Sequence, residues 1–337
     1  MLRAGVIGVG YLGRLHAQKI ASFDDVVFAG VCDADRERGQ AVAEEFGTFF
    51  FENTRKFLRE VDAVSIAVPT TAHFRVAREA IRAGVHVLLE KPIAATVREG
   101  RTLVRDAAER GLIFQIGHLE RFNSAVISAT SVLKEPRFIE CHRLGMFGGR
   151  GTDVDVVLDL MIHDIDIILS LAASNIKKVD AVGVSVIEEK EDICNARIVF
   201  ENGCIANITA SRLALKTERK VRVFSRQAYL SMDYLKKSGI IIKADPNINI
   251  VKLINEKKAS GDFDLSTMNW PELLHIEELE IDDKEPVRLQ QEAFLRAVAD
   301  RQFMPEVSAE EGLAALQCAE KIIASVEENK WDEKIGV

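Results

Sequence analysis

The stretch GVIGVGYLG, Gly5–Gly13, decides how the rest of the chain is read. Within it, Gly8-Val9-Gly10-Tyr11-Leu12-Gly13 has the spacing G-x-G-x-x-G, which alone is a weak signal. Context sharpens it. The β-branched run RAGVIGV leads into the glycines, and a helical pattern from Tyr11 to Ala21 follows. A second apolar run, VVFAGVCD, then ends on Asp33, 20 residues after Gly13. Strand, glycine turn, helix and a strand closed by an acidic residue are the parts of a dinucleotide-binding βαβ unit. In such a unit Gly8 makes the tight turn, Gly10 lets a pyrophosphate approach, and Gly13 lets the helix pack on the strand. Tyr11 and Leu12 complete the turn, and the helix N-terminus presents N–H groups and a dipole to the phosphates. Asp33 is expected to accept bonds from the adenosine ribose hydroxyls and to repel a 2′-phosphate. That favours NAD over NADP, although Arg36 and Arg38 close by soften the exclusion.

Further along, ADRERGQAVAEEFG is a helical pattern stopped by Gly47, and VDAVSIAVP, GVHVLLE and GLIFQIG are apolar strands. Helices are predicted between them, from about Thr71 to Ala83 and Thr96 to Arg110. Near-continuous apolar strands alternating with helices indicate a parallel sheet covered on both faces. Val68, Pro69 and Thr70 close one strand at the carboxyl edge, where ligands bind in such folds, and are expected to line the nicotinamide ribose pocket. His73 is read as starting or capping the next helix. After about residue 122 the runs RFIECHRLGMF, KVDAVGVSVI, NARIVF, CIANITASRL and KVRVFS follow one another with short turns, ENG at Glu201–Gly203 being the clearest. Lys243 to Asn269 reads as long polar loops. PVRLQQEAFLRAVADR and SAEEGLAALQCAEKIIASVEE are amphipathic helices, the second with a capping box from Ser308 to Glu311. The expected fold is an α/β Rossmann domain over residues 1–120, followed over 121–337 by an α+β domain. That second domain carries a large, open, mostly antiparallel sheet, and its C-terminal helices pack back toward the first.

Composition fits this reading. The chain has 337 residues, 47% hydrophobic and 28% charged, enough for two ordinary cores without disulfide or metal support. Five cysteines are scattered with no C-x-x-C spacing, which suits reduced thiols and predicts neither a zinc site nor any other metal centre. No apolar run reaches the roughly 18 residues of a membrane span, and the N-terminus runs straight into a strand without the features of a signal peptide. A cytoplasmic protein without a membrane partner is expected. The net charge of −8 argues against nucleic acid as a partner, though not against a small anion held by local cations.

One apolar stretch is unusual in its charges. VLDLMIHDIDIIL, Val157–Leu169, contains Asp159, His163, Asp164 and Asp166. On an ideal helix Asp159, His163 and Asp166 fall within a narrow arc that Asp155 joins, whereas Asp164 points elsewhere. Buried charges of this kind are costly unless paired or at work.

Together, GVIGVGYLG, the Glu90-Lys91-Pro92 that follows GVHVLL, and LDLMIHDID resemble the Gfo/Idh/MocA oxidoreductases, and the likeness runs on through both C-terminal helices. The resemblance implies that Lys91 touches the reacting hydroxyl or carbonyl, with Glu90 beside it near the cofactor. It implies that Asp159 and His163 are the D-x-x-x-H pair of the inositol dehydrogenase branch, extended by Asp166. Elementary chemistry agrees. Removing hydride from a sugar carbon requires a base for the hydroxyl proton, and His163 is the only residue of the stripe whose type titrates near neutrality when unperturbed. Asp159 can orient its ring, and Lys91 can steady the developing alkoxide or, with a lowered pKa, be the base itself.

QIGHLERFNSAV, Gln115–Val126, further resembles family members that oxidise nucleotide-linked aminosugars, UDP-N-acetylglucosamine 3-dehydrogenases among them, with Ser124 where they usually have proline. By that resemblance the substrate is a UDP-linked N-acetylglucosamine or its uronic acid, oxidised at the 3-hydroxyl. His118, Arg121 and Asn123 are its expected contacts, with Asp166 and Arg150, and with Arg143 and Arg212 as further candidates. MFGGRGTDVD, Met146–Asp155, reads as a loop near the site. Inositol or a free sugar is the alternative substrate, and an inert NAD-binding sensor the alternative function. The family also implies a homodimer or homotetramer built on the antiparallel sheet.

Overall fold

The computed structural model describes residues 1–133, 135–146, 155–187, 190–226, 228–244, 274–279 and 284–330. Along the first part of the chain the elements are β1 (Leu2–Ile7), α1 (Tyr11–Ile20), β2 (Val26–Cys32), α2 (Arg36–Glu45), β3 (Phe50–Phe51), α3 (Thr54–Phe57), β4 (Ala63–Ile66), α4 (Thr70–Arg82), β5 (His86–Glu90), α5 (Val97–Ala108) and β6 (Phe114–Gly117). Then come α6 (Ser124–Val132), β7 (Pro136–Leu144), α7 (Ile162–Ala172), β8 (Ile176–Val184), β9 (Ile193–Phe200), β10 (Ile205–Ser211), β11 (Glu218–Ser225), β12 (Ala228–Asp233), β13 (Ser238–Ala244), β14 (Leu274–Glu278), α8 (Pro286–Ala299) and α9 (Ala309–Glu328). Of the stretch read as loop from Lys243 to Asn269, its first two residues finish β13, and 245–269 lie outside the described residues.

The chain separates into two compact units, and not at a single cut near residue 120. The first comprises Met1–Asn123, Val157–Leu169 and Lys284–Ala324, and the second comprises Ser124–Val156, Ser170–Asp283 and Ser325–Val337. The first unit holds a parallel sheet in the order β3-β2-β1-β4-β5-β6. Strand order reverses between β1 and β4, which opens a crevice at their carboxyl ends. Because side chains alternate along a strand, adjacent residues feed opposite cores. Val6, Val31, Ala63 and Leu88 pack with Ala17, Ile20 and Phe294 on one face. Ile7, Val64, Ile66, Val87 and Leu89 pack with Val76, Ala80, Leu103 and Leu316 on the other. The capping box at the start of α9 is formed, with Glu311 N donating to Ser308 Oγ at 3.2 Å and Ser308 N to a Glu311 carboxylate oxygen at 2.8 Å.

The second unit holds an eight-stranded sheet, β14-β13-β12-β11-β7-β10-β9-β8, antiparallel except where β10 runs parallel to β7. One face is apolar and buried, with Ile139, Cys141, Ala196, Ile198, Ala206, Ile208, Val221 and Val223. The opposite face carries cross-strand polar pairs such as Asn195 with Thr209 at 2.8 Å and Arg222 with Glu140 at 3.0 Å. Among the described residues no helix is long and apolar enough to cross a membrane.

Candidate active site

The glycine turn is built as its spacing requires. Gly8 has φ +85°, a left-handed conformation that favours glycine, and its N–H donates to Cys32 O at 2.8 Å. A Cβ on Gly13 would lie 1.8 Å from Gly8 O, so only glycine lets α1 sit this close to β1. A Cβ on Gly10 would meet no atom within 4 Å, because that position faces open space. No side chain caps the N-terminus of α1, so its first N–H groups remain for a ligand. Beside them lies a cavity of about 730 Å³ lined by Gly8, Gly10, Leu12, Asp33, Val68, Pro69, Thr70, Glu90 and Lys91, among others. That volume and the open face of Gly10 fit a dinucleotide. Tyr11 is 88% exposed and is not part of the lining.

Asp33 is more heavily engaged than its position in the sequence suggests. Its carboxylate accepts from Val9 N at 2.6 Å and Asp35 N at 2.8 Å, and from the Arg38 guanidinium at 2.6 and 3.3 Å. Burial pushes this carboxyl up, but the bonds from Arg38, Val9 and Asp35 outweigh it and hold its pKa below the usual carboxylate range. Asp33 thus stays ionised, while Arg38, half exposed and lining the cavity, offsets its charge.

At the other end of the cavity the Lys91–Pro92 peptide is cis. His73, on the first turn of α4, joins both sides: its Nδ1 lies 2.7 Å from Pro92 O and its Nε2 2.9 Å from Val68 O. Burial draws its pKa below that of an ordinary imidazole, against the two carbonyls, which favour the doubly protonated ring. His73 therefore ties the Val68 loop to the Glu90-Lys91-Pro92 turn, a role that the reading of it as a helix start missed.

Lys91 Nζ donates to Asp159 O at 2.9 Å. The contact is with the backbone, and the helix geometry explains it. Val157–Met161 form a π-helical turn before α7 begins at Ile162, so the ideal-helix arc does not apply there. Asp155 is buried and precedes this turn, in the second unit. His163 stands on the first turn of α7, and both it and Asp159 are half-buried.

The residues expected to meet substrate sort differently. Arg121 is 9% exposed and holds Asp166 through two bonds, at 2.8 and 3.1 Å, with Glu311 at 3.0 Å. Burial opposes its charge, yet these carboxylates raise its pKa above the usual guanidinium value. In this structure Arg121 and Asp166 face each other. His118 is 1% exposed, and among the described residues neither ring nitrogen has a hydrogen-bond partner. Burial lowers its pKa, so it is neutral and inward-facing. Asn123 Nδ2 donates to a Glu120 carboxylate oxygen at 3.3 Å. Arg143 and Arg212 are buried within the second unit. Arg150 and the glycines at 148, 149 and 151 lie outside the described residues.

Comparison with known proteins gives this geometry a family. Residues 2–118 match the profile of an oxidoreductase family with an NAD-binding Rossmann fold, and residues 134–231 match the GFO/IDH/MocA C-terminal domain. UDP-N-acetylglucosamine 3-dehydrogenase of Acidithiobacillus ferrooxidans is 43% identical over 235 residues, 69% of this chain and 74% of that protein. A solved structure of UDP-N-acetylglucosamine 3-dehydrogenase from Acidithiobacillus ferrooxidans aligns with a TM-score of 0.85 at 34% identity, covering 97% of this chain and 98% of that one. Scyllo-inositol dehydrogenase from Lactobacillus casei, solved with NAD(H) and scyllo-inositol, shares the fold at 20% identity and a TM-score of 0.76 over 98% of each chain. The glycine turn, the Glu-Lys-Pro turn and the open eight-stranded sheet thus belong to one lineage, and the chain is a member of the Gfo/Idh/MocA oxidoreductase family.

Proposed function

We propose that the protein oxidises the 3-hydroxyl of UDP-N-acetylglucosamine, or of its uronic acid, to the 3-keto sugar. The observation that carries this reading is the 43% identity over 235 residues to the Acidithiobacillus ferrooxidans enzyme of that specificity. NAD, when bound along the cavity from Asp33 to Lys91, supplies the acceptor for the hydride leaving the sugar carbon. The chain's own residues manage the rest. Gly8, Gly10 and the α1 N-terminus seat the pyrophosphate, Gly13 keeps the helix against the strand, and Asp33 takes the ribose hydroxyls. Val68, Pro69, Thr70 and Glu90 bound the nicotinamide end. Lys91, fixed by the Asp159 carbonyl, either steadies the developing alkoxide as a cation while His163 takes the hydroxyl proton or, when neutral, takes that proton itself.

Arg121, Asp166 and Glu311 serve as a brace in this reading, holding the segment after β6, where His118 is buried, against α7 and the start of α9. Asn123 and Arg150 remain the proposed sugar or diphosphate contacts. The protein acts as a homodimer or homotetramer in the cytoplasm, with the polar face of its antiparallel sheet as the contact. The test is turnover of purified protein with NAD, read as NADH formation, against UDP-N-acetylglucosamine, myo-inositol and glucose. UDP-N-acetylglucosamine should be the preferred substrate, and Lys91→Ala should abolish turnover while sparing NAD binding. Equal or better use of inositol would overturn the substrate, and normal turnover by Lys91→Ala the mechanism.

A further inference from the structure

Behind the Glu90-Lys91 turn lies a buried polar cluster with no obvious structural purpose. Glu90 is the last residue of β5, 8% exposed, and its carboxylate points into the first unit. His16 on α1 places Nε2 3.3 Å from Glu90 Oε1, and Gln290 on α8 donates to the same oxygen at 3.3 Å. The third wall is Gly117 of β6, where a Cβ would fall 2.5 Å from Glu90 Oε1. Gln115 donates in turn to Gln290 O at 3.2 Å. On the far side of His16, Nδ1 lies 2.7 Å from Ser65 Oγ, which accepts from Gln291 Nε2 at 3.0 Å.

Ser65 Oγ accepts from Gln291 and keeps both a second lone pair and its own hydrogen for His16 Nδ1. His16 Nε2 faces the Glu90 carboxylate. His16, Ser65, Gln115, Gln290 and Gln291 are all at most 1% exposed. Among the described residues, His16 Nε2 and the Oε1 atoms of Gln115, Gln290 and Gln291 lack a partner in good hydrogen-bond geometry. So many imperfectly satisfied polar atoms in one core are costly, and an apolar cluster of the same shape would serve stability better. What the cluster does hold is one carboxylate, adjacent in the chain to Lys91.

We propose that His16, Gln290 and Gln291, with Ser65, are positioning residues that fix the Glu90 carboxylate and thereby the backbone from which Lys91 projects. This rests on the function proposed above and adds to it the groups that hold the lysine in place. α1 then has two duties: its N-terminus seats the cofactor, and His16, in its second turn, fixes the reacting end.

The test compares His16→Leu, His16→Gln and Gln290→Leu with the unmodified protein in two measurements. The first is kcat and KM for NAD with UDP-N-acetylglucosamine. The second, made without cofactor or substrate, is hydrogen–deuterium exchange of the peptide Leu88–Ala94 against β1. His16→Leu and Gln290→Leu should each lower kcat by about tenfold or more while KM for NAD moves less than about threefold. Both should speed exchange at Leu88–Ala94 and leave β1 unchanged, and His16→Gln, which keeps a polar side chain beside Glu90, should recover most of both. Unchanged kcat and exchange in the two leucine variants would overturn the proposal, as would exchange that rises equally in β1. Should His16→Leu not fold, Gln290→Leu decides by the same criteria. If the unmodified protein turns over no UDP-N-acetylglucosamine, the proposed function fails, and the exchange comparison still decides whether these residues hold the Glu90-Lys91 turn.

Discussion

Substituting alanine at Gly13 and at Gly10 should separate the packing role of the glycine turn from its binding role. At Gly13 the new Cβ would lie 1.8 Å from Gly8 O, whereas even the shortest tolerated Cβ contacts are about 3.0 Å. Gly8 cannot retreat easily, because its N–H is bonded to Cys32 O and its φ of +85° sets the turn. α1 must therefore move away from β1 by about an ångström, loosening Ala17 and Ile20 in the core. Overpacking of this severity costs about 3 kcal/mol. In a folding unit of this size that is a fall in Tm of about 6–12 °C. Gly10 has φ −63° and ψ −163°, which alanine adopts without strain, and its Cβ meets nothing. Gly10→Ala should keep the parent Tm within about 2 °C, since it trades only some unfolded-chain entropy. It should still weaken NAD by about tenfold or more, because the methyl occupies the approach of the pyrophosphate. Calorimetry and NADH fluorescence titration read the two effects. A stable Gly13→Ala, or a Gly10→Ala that binds NAD normally, would refute the assignment of roles.

Three more outcomes follow from the site. Arg121→Met strands the buried Asp166 carboxylate and should cost about 3–5 kcal/mol in denaturant unfolding, with Arg121→Met/Asp166→Leu recovering most of it. His73, His86 and His118 have pKa values lowered chiefly by burial, so below about pH 6.5 the unfolded chain binds more protons than the folded one. Stability should therefore fall as pH drops from about 7.5 to about 5.5, and a flat Tm across that range would contradict this. Arg38→Ala removes the cation on Asp33 and should sharpen the preference for NAD over NADP by about tenfold, as measured by the two dissociation constants.

What could be seen in the sequence follows the range of the interactions involved. The β1–α1 turn and Asp33 were legible because glycine spacing and strand ends are local features. So was the division into a parallel sheet and an open, largely antiparallel one, since hydrophobic periodicity reports burial on one or both faces. Arg121 shows the limit. Its partner Asp166 lies 45 residues away, and composition cannot tell a guanidinium that waits for phosphate from one already held by a carboxylate. The π turn at Val157–Met161 was invisible for another reason: a helical arc drawn at a fixed angle assumes the hydrogen-bond pattern that the turn breaks. His16 and Gln290 come together only because α1 and α8 pack on the same sheet face, and nothing local marks either residue.

The central claim is that hydride leaves C3 of a UDP-linked aminosugar. The most direct measurement uses UDP-N-acetylglucosamine deuterated at C3, with NMR of the reduced cofactor. Deuterium appearing in the nicotinamide ring, together with a 3-keto sugar, is the predicted result. Unlabelled NADH, with the deuterium still on the sugar, would contradict the account.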